Sequence, residues 1–286
     1  MSPQLWTVRD VLGWTTERFR KATIPSPRLD AELLLAHALG GDRVGLYIDM
    51  DRPLSEDERA RYRGLVSARL ERRPVAYLLG RREFYSRAFE VSEAVLVPRP
   101  ETEVLVEQAL ASLEGVEAPR ILDLGTGSGA IAVTIAAERP DARVVATDLS
   151  AEALEVASRN AERHGVGIQL RRGDLFDALT VEDPPFHAIV ANLPYVSADQ
   201  RGALEPELGF EPPLALFAKG DGLEVIRRCV AGAPARLARP GGRLWLEIGA
   251  DQAEAVCAMA RDQGPAAEPR VIRDLAGLSR VVCAEF

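Results

Sequence analysis

The sequence predicts an α/β protein: a mainly parallel sheet with helices on both faces, preceded by a small helical domain and a β-hairpin linker. Two observations carry this. From residue 120 onward, short apolar runs alternate with longer helical segments, the pattern that covers a parallel sheet on both sides. Residues 1–82 instead hold helix starts and stops with no such alternation, and residues 83–100 hold short aromatic and β-branched clusters. Domains are therefore drawn at 1–82, 83–100 and 101–286.

Taken in order, Thr7 is placed to cap a helix with apolar residues at Val8, Val11, Leu12 and Phe19. Ser26-Pro27, a cap followed by Pro at the first helical position, opens a second through Leu29, Leu33, Leu34, Leu35 and Leu39, and Gly40-Gly41 ends it. Ser55 and Glu58 make a capping box for a third through Leu65, Val66 and Leu70. Pro74 starts the short segment Val75–Leu79, stopped by Gly80. No catalytic cluster lies here, so by elimination this domain recognises a partner.

Phe84-Tyr85, Phe89-Glu90-Val91 and Val95-Leu96-Val97 read as strands of the hairpin. Pro98-Arg99-Pro100-Glu101-Thr102-Glu103 then opens a helix whose acidic first turn suits the dipole. Arg99, between two prolines, sets a charge on a stiff segment at a domain junction. Strands follow at Ile121–Leu124, Val144–Thr147, Ile168–Arg171, Phe186–Ala191, Arg243–Ile248, Arg270–Ile272 and Arg280–Ala284. Helices fill 130–138, 151–163, 222–237 and 251–262. The last two strands have no helix between them, so the final one is expected to return antiparallel.

The composition is that of a soluble chain: 286 residues, 47% hydrophobic, 27% charged, net charge −8. An acidic chain is a poor match for broad phosphate-backbone binding. Residues 1–85 carry a net +3 and the remainder −11, a mild asymmetry that solvated helix faces explain as well as a partner does. Cys229, Cys257 and Cys283, like His37, His164 and His187, are scattered, which indicates neither a disulfide framework nor a metal site. No run approaches the ~20 apolar residues of a membrane span. The N-terminus lacks the features of a signal peptide, so the expected location is cytoplasmic.

The chemistry gathers at strand ends. Asp123-Leu124-Gly125-Thr126-Gly127-Ser128-Gly129-Ala130 joins a strand to its helix, and its glycines let backbone come against a ligand. Asp148, at the end of the next strand, lies 23 residues past Gly125, where an acidic ribose partner is expected. Gly125-x-Gly127-x-x-Ala130 also fits the dinucleotide pattern. Gly129 and Asp123, however, suit S-adenosylmethionine, with Asp174 placed to accept from an adenine amino group and Leu175 as its apolar wall. Asn192-Leu193-Pro194-Tyr195 ends a later strand. There an Asn oxygen and a neighbouring main-chain carbonyl make two acceptors for one planar NH2 group, on a loop that Pro194 stiffens.

These stretches resemble the peptide chain release factor glutamine methyltransferases, a family of class I S-adenosylmethionine enzymes. The resemblance runs through Pro74-Val-Ala-Tyr-Leu-Leu-Gly80, Val95-Leu-Val-Pro-Arg-Pro-Glu-Thr-Glu103, Asp123–Gly129 and Asn192–Tyr195. It continues through Phe210–Leu216, Gly220–Leu223, Leu246-Glu-Ile-Gly249 with Gln252, and Asp274–Gly277. It implies a Rossmann-like seven-stranded methyltransferase domain behind a helical domain and a hairpin linker. It also implies methyl transfer to the amide nitrogen of the glutamine in a Gly-Gly-Gln motif of release factors. By position, Gly125, Thr126, Gly127, Ser128, Gly129, Asp148, Asp174, Leu175 and Asn192 would hold the cofactor. Asn192, Leu193, Pro194 and Tyr195 would hold and activate the glutamine, with Arg99 and Glu101 beside it.

The family usually has Pro where this chain has Leu193, so one φ restraint is missing from the loop. A sister branch acts on ribosomal protein L3 and typically has Ser-Pro after the first Pro-Arg; Arg99-Pro100-Glu101-Thr102 favours the release-factor branch. Asn-Leu-Pro-Tyr is also familiar from rRNA adenine dimethyltransferases, so an adenine-N6 nucleic-acid methyltransferase is a rival, disfavoured by the acidic catalytic part. A non-catalytic nucleoside-binding module is a second rival. An NAD dehydrogenase is a third, lacking a catalytic His in the crevice. The expected protein is a monomer with a protein substrate, no direct nucleic-acid contact and no membrane.

Overall fold

Strand-forming sequence begins only at Arg81, and the architecture divides there. The structure, a computed structural model, describes residues 6–286. The chain up to Gly80, together with Pro206–Phe210, forms one unit; Arg81–Glu205 with Glu211–Phe286 forms the other.

The first unit is helical: α1 (Val8–Lys21), α2 (Pro27–Leu39), α3 (Arg43–Ile48), α4 (Glu56–Leu70) and α5 (Val75–Leu79). Thr7 and Asp10 close a capping box on α1, and Ser55 and Glu58 close one on α4. Ser26 makes no side-chain bond to the start of α2, so Pro27 at the first position fixes that end. Gly40 and Gly80 stop α2 and α5 in the left-handed conformation. Helix α3 has no counterpart in the sequence reading. Asp42 caps it, but Val44, Tyr47 and Ile48 stay exposed, leaving no buried stripe to read. The core gathers Leu12, Phe19, Leu34, Leu35, Tyr62 and Val66.

The second unit opens with a hairpin, β1 (Arg81–Phe84) and β2 (Arg87–Glu90), then α6 (Thr102–Ala111). The alternation that follows is β3 (Arg120–Leu124), α7 (Ala130–Glu138), β4 (Arg143–Asp148), α8 (Ala151–His164), β5 (Gln169–Arg172) and β6 (Ala188–Ala191). A small parallel pair, β7 (Val196–Ser197) and β8 (Phe217–Ala218), encloses the short α9 (Pro213–Leu216). The chain ends with α10 (Glu224–Gly232), β9 (Arg243–Glu247), α11 (Ala253–Arg261), β10 (Arg270–Arg273) and β11 (Ser279–Glu285). The seven-stranded sheet runs β10-β11-β9-β6-β3-β4-β5, parallel except for β11, which pairs antiparallel with both β10 and β9. The final strand thus returns antiparallel, as its short connection demands.

Strand side chains alternate between two cores. Leu122, Ile189 and Leu246 pack with Ile226 and Val256 of α10 and α11; Ile121, Val190 and Trp245 pack with Leu105 and Ile131 of α6 and α7. Phe84 and Phe89 of the hairpin are wholly buried in the second core. Two sequence expectations shift. The hairpin turns at Tyr85–Ser86, both at positive φ, so its strands are 81–84 and 87–90, while Val95–Val97 is buried loop. The helix expected over 222–237 ends at Gly232, because Pro234 cannot donate to its ladder.

In the helical unit Arg69, almost fully buried, binds Asp30 Oδ2 at 2.9 Å and Glu207 Oε1 at 2.8 Å. Burial pushes the Asp30 carboxyl up, against the pull of Arg69. Arg69→Met would leave two carboxylates without this partner, and a loss of about 3–5 kcal/mol is expected in denaturant titration.

Candidate active site

Register decides which residues meet. Leu124 of β3 pairs with Thr147 of β4 on one side and Ala191 of β6 on the other; Ala191 also pairs with Leu246 of β9. The next residues, Gly125, Asp148, Asn192 and Glu247, therefore emerge together at one edge of the sheet. The chain crosses from the β3–β4 side to the β6 side there, the switch point where open α/β sheets bind ligands.

The Gly125–Gly129 turn is held by backbone and carboxylates. Gly125 and Thr126 N–H both donate to the Thr147 carbonyl at 2.9 Å. Gly127 N–H donates to Asp148 Oδ2 at 2.9 Å, and the other Asp148 oxygen accepts from Ser150 N–H at 2.9 Å. Gly127 has φ +55 and open space where a Cβ would stand. A Cβ on Gly129 (φ +79) would lie 3.1 Å from Ala157 Cβ, so this glycine lets α7 and α8 close together. Thr126 Oγ1 donates to Asp123 Oδ2 at 2.6 Å. Asp123 Oδ1 is buried with no hydrogen-bond partner among the described residues, and burial pushes its carboxyl up to about 7.

Asn160 of α8 fixes the turn from behind. Its Nδ2 donates to the carbonyls of Ser128 (2.8 Å) and Glu90 (3.0 Å), and its Oδ1 accepts from Glu90 N–H at 2.7 Å. Further along the edge, Asp174 pairs with Arg228 at 2.8 Å, and Leu175 is buried with φ +50.

On the other side, Asn192 Nδ2 donates to Thr102 Oγ1 of α6 at 3.2 Å. Leu193 is buried, with its Cδ2 3.2 Å from where a Gly125 Cβ would stand; the Asn192 carbonyl is 4.0 Å from that point. The two loops therefore touch at Gly125, where φ +71 favours glycine and an added Cβ would press on Leu193. Pro194 leads to Tyr195, whose carbonyl accepts from Gln252 Nε2 at 2.9 Å. Gly222 (φ +83) abuts the same carbonyl, which would lie 2.5 Å from an added Cβ. Burial raises the Tyr195 hydroxyl to about 12, and the charge on Glu247 adds to that.

Arg99 ion-pairs with the buried Glu211, whose other oxygen accepts from Val97 N–H at 3.1 Å; Glu101 is exposed at the start of α6. Sequence reasoning gave no role to Thr102, Asn160, Glu211, Glu247 or Gln252. Glu247 had a signal: it is the one charge in the apolar run Leu244–Ile248. Asn160 had none, since a polar residue on an amphipathic helix reads as solvated.

The profile of the PrmC N-terminal domain matches residues 10–80, and that of a methyltransferase domain matches residues 121–207. The chain is 45% identical over 258 residues to the release factor glutamine methyltransferase of Geobacter sulfurreducens, spanning 90% of this chain and 89% of that protein. The chain belongs to the release factor glutamine methyltransferase family. The Cereibacter sphaeroides member is 44% identical over 280 residues, spanning 97% and 98% of the two chains. Solved structures share the fold of these methyltransferases. A methyltransferase from Pyrococcus furiosus (18% identical) covers 71% of this chain and 90% of its own with a TM-score of 0.53. The hMettl16 catalytic domain in complex with a MAT2A 3′UTR hairpin (14% identical) covers 69% and 75% with 0.57. Among the described residues no helix is long and apolar enough to cross a membrane.

The Asp123 carboxyl ionises near 3.8 when unfolded and near 7 when folded. The folded chain thus holds an extra proton between those values, and the stability this gives is lost as pH rises through about 7. Asp123→Asn is neutral throughout and should reduce the fall in unfolding free energy from pH 5 to pH 8 by about one proton's slope. An unchanged slope would contradict the assignment.

Proposed function

We propose that this chain transfers a methyl group from S-adenosylmethionine to the side-chain amide nitrogen of a Gly-Gly-Gln glutamine in peptide chain release factors. The observation that supports the reading is the contact of the Asn192–Tyr195 loop with Gly125, which brings that loop's acceptors beside the glycine turn. The family's names supply the substrate.

The residues fit the cofactor. The open space where a Gly127 Cβ would stand leaves room for close approach, and Asp123 Oδ1, without a partner among the described residues, offers an acceptor inside the turn. Gly125, Thr126, Gly127, Ser128 and Gly129 would cradle it and Asp148 would take the ribose. Leu175 would wall the base, with Asp174 nearby. When bound, S-adenosylmethionine would supply a methyl group on a sulfonium, whose C–S bond breaks to leave a neutral thioether.

An amide nitrogen is a poor nucleophile because its lone pair is delocalised into the carbonyl. Asn192 Oδ1 and the Leu193 carbonyl accept its two N–H bonds, which aims the lone pair at the methyl group. The same acceptors stabilise positive charge growing on nitrogen. Pro194 and the Gln252 bond to Tyr195 hold this geometry, and fixed alignment contributes further rate by proximity. Tyr195 packs beside the reacting centre, where its ring face suits a cation. The amide proton leaves to water. Arg99 and Glu101 border the substrate, and the helical unit is read as the release-factor recognition part.

Incubating the protein with S-adenosylmethionine and a release-factor fragment should add about 14 Da to the Gly-Gly-Gln glutamine in peptide mass spectrometry. Methyl groups on RNA or DNA, with none on the fragment, would replace this reading with an adenine-amino one. Asn192→Ala should lower kcat by about 100-fold or more, with cofactor affinity in calorimetry largely kept. Asp148→Asn should instead weaken cofactor binding by about 10-fold.

A further inference from the structure

We infer that Thr102 and Glu247 are positioning residues that fix which end of the Asn192 carboxamide faces the substrate. The pairing of Ala191 with Leu246 sets Asn192 and Glu247 level on neighbouring strands. Alternation from Val190 and Trp245 turns both toward the α6 face of the sheet, and Thr102 stands there in the first turn of α6. Asn192 Nδ2 lies 3.2 Å from Thr102 Oγ1, and the Thr102 hydroxyl is close enough to Glu247 to pull its carboxyl down against burial.

Proton counting gives this chain a direction. A hydroxyl has one proton, and a carboxylate has none. With Glu247 ionised, the Thr102 proton goes to Glu247, so Thr102 Oγ1 can only accept from Asn192. The carboxamide must then turn its NH2 to Thr102 and its Oδ1 away. The reverse orientation would oppose lone pairs across Asn192 and Thr102 with no proton between them. Glu247 is 2% exposed, and its Oε2 has no hydrogen-bond partner among the described residues. A buried carboxylate this poorly partnered burdens the fold, and orienting Asn192 gives it a use.

The inference rests on Asn192 Oδ1 as the amide acceptor. Protonation of Glu247 would reverse the chain, since the acid could donate to Thr102 and free its hydroxyl proton for Asn192 Oδ1. Burial brings that event to about pH 7, with Glu101 adding to it; the Thr102 bond and the charges of Arg280 and Arg99 oppose it. Tyr195 is the remaining titratable group facing Glu247.

The test is steady-state methylation of a Gly-Gly-Gln fragment by the full chain, with cofactor affinity measured by calorimetry. Thr102→Val should lower kcat by about 10- to 100-fold, leaving KM for the fragment and cofactor affinity within about 3-fold. Thr102→Ser should restore kcat to within about 3-fold of the unaltered chain. Near-normal kcat in Thr102→Val, or a Thr102→Ser variant as slow, would overturn the inference while leaving the proposed function intact. Absence of fragment methylation by the unaltered chain would instead remove that function. If Thr102→Val does not fold, the pH profile decides. An acid limb in kcat near pH 7 that disappears in Glu247→Gln supports the orientation chain, and a limb unchanged in that variant refutes it.

Discussion

The parallel register of β3, β4, β6 and β9 is the constraint on which the rest of the site depends. Because Leu124 lies level with both Thr147 and Ala191, and Ala191 level with Leu246, four strands release their chains at one height. A one-residue slip in β6 would send Asn192 to the opposite face and end its bond to Thr102. Gly125, Asp148, Asn192 and Glu247, far apart in sequence, are neighbours for this reason alone.

The residues at that edge are costly to keep there. Asp123 and Glu247 are carboxyls in an apolar interior, each with an oxygen lacking a described partner. Gly125, Gly127 and Gly222 are held at positive φ. Stability is supplied from behind, by the two cores that cover the sheet and by groups such as Asn160, which spends every hydrogen-bonding atom on the hairpin and the glycine turn. The hairpin is thus more than a tether, since Phe84 and Phe89 complete the α6–α7 core.

Much of this was legible in the sequence because it is carried by local signals. The alternation of strands and helices, the capping boxes at Thr7 and Ser55, and the antiparallel last strand follow from periodicity and turn chemistry. So does the cluster of Gly125–Gly129, Asp148 and Asn192–Tyr195, since each sits at a strand end that the sequence itself marks. What escaped is held by partners distant in the chain. Thr102 and Glu247 acquire a role only when β9 lies beside β6 and α6 covers both. Glu211 acquires its own only when it meets Arg99. Helix α3 escaped for a different reason, since Val44, Tyr47 and Ile48 are exposed and Leu46 alone reaches the core.

Leu193 leaves the loop without the φ restraint that a proline at that position would add. The structure anchors it by another means, because its side chain is buried against the vacancy at Gly125. The two positions therefore share one space: the side chain that 125 lacks is the room that Leu193 occupies. A side chain added at 125 would press on Leu193 at a backbone φ of +71, so a substitution in the cofactor turn would be felt first as a shift of the substrate loop.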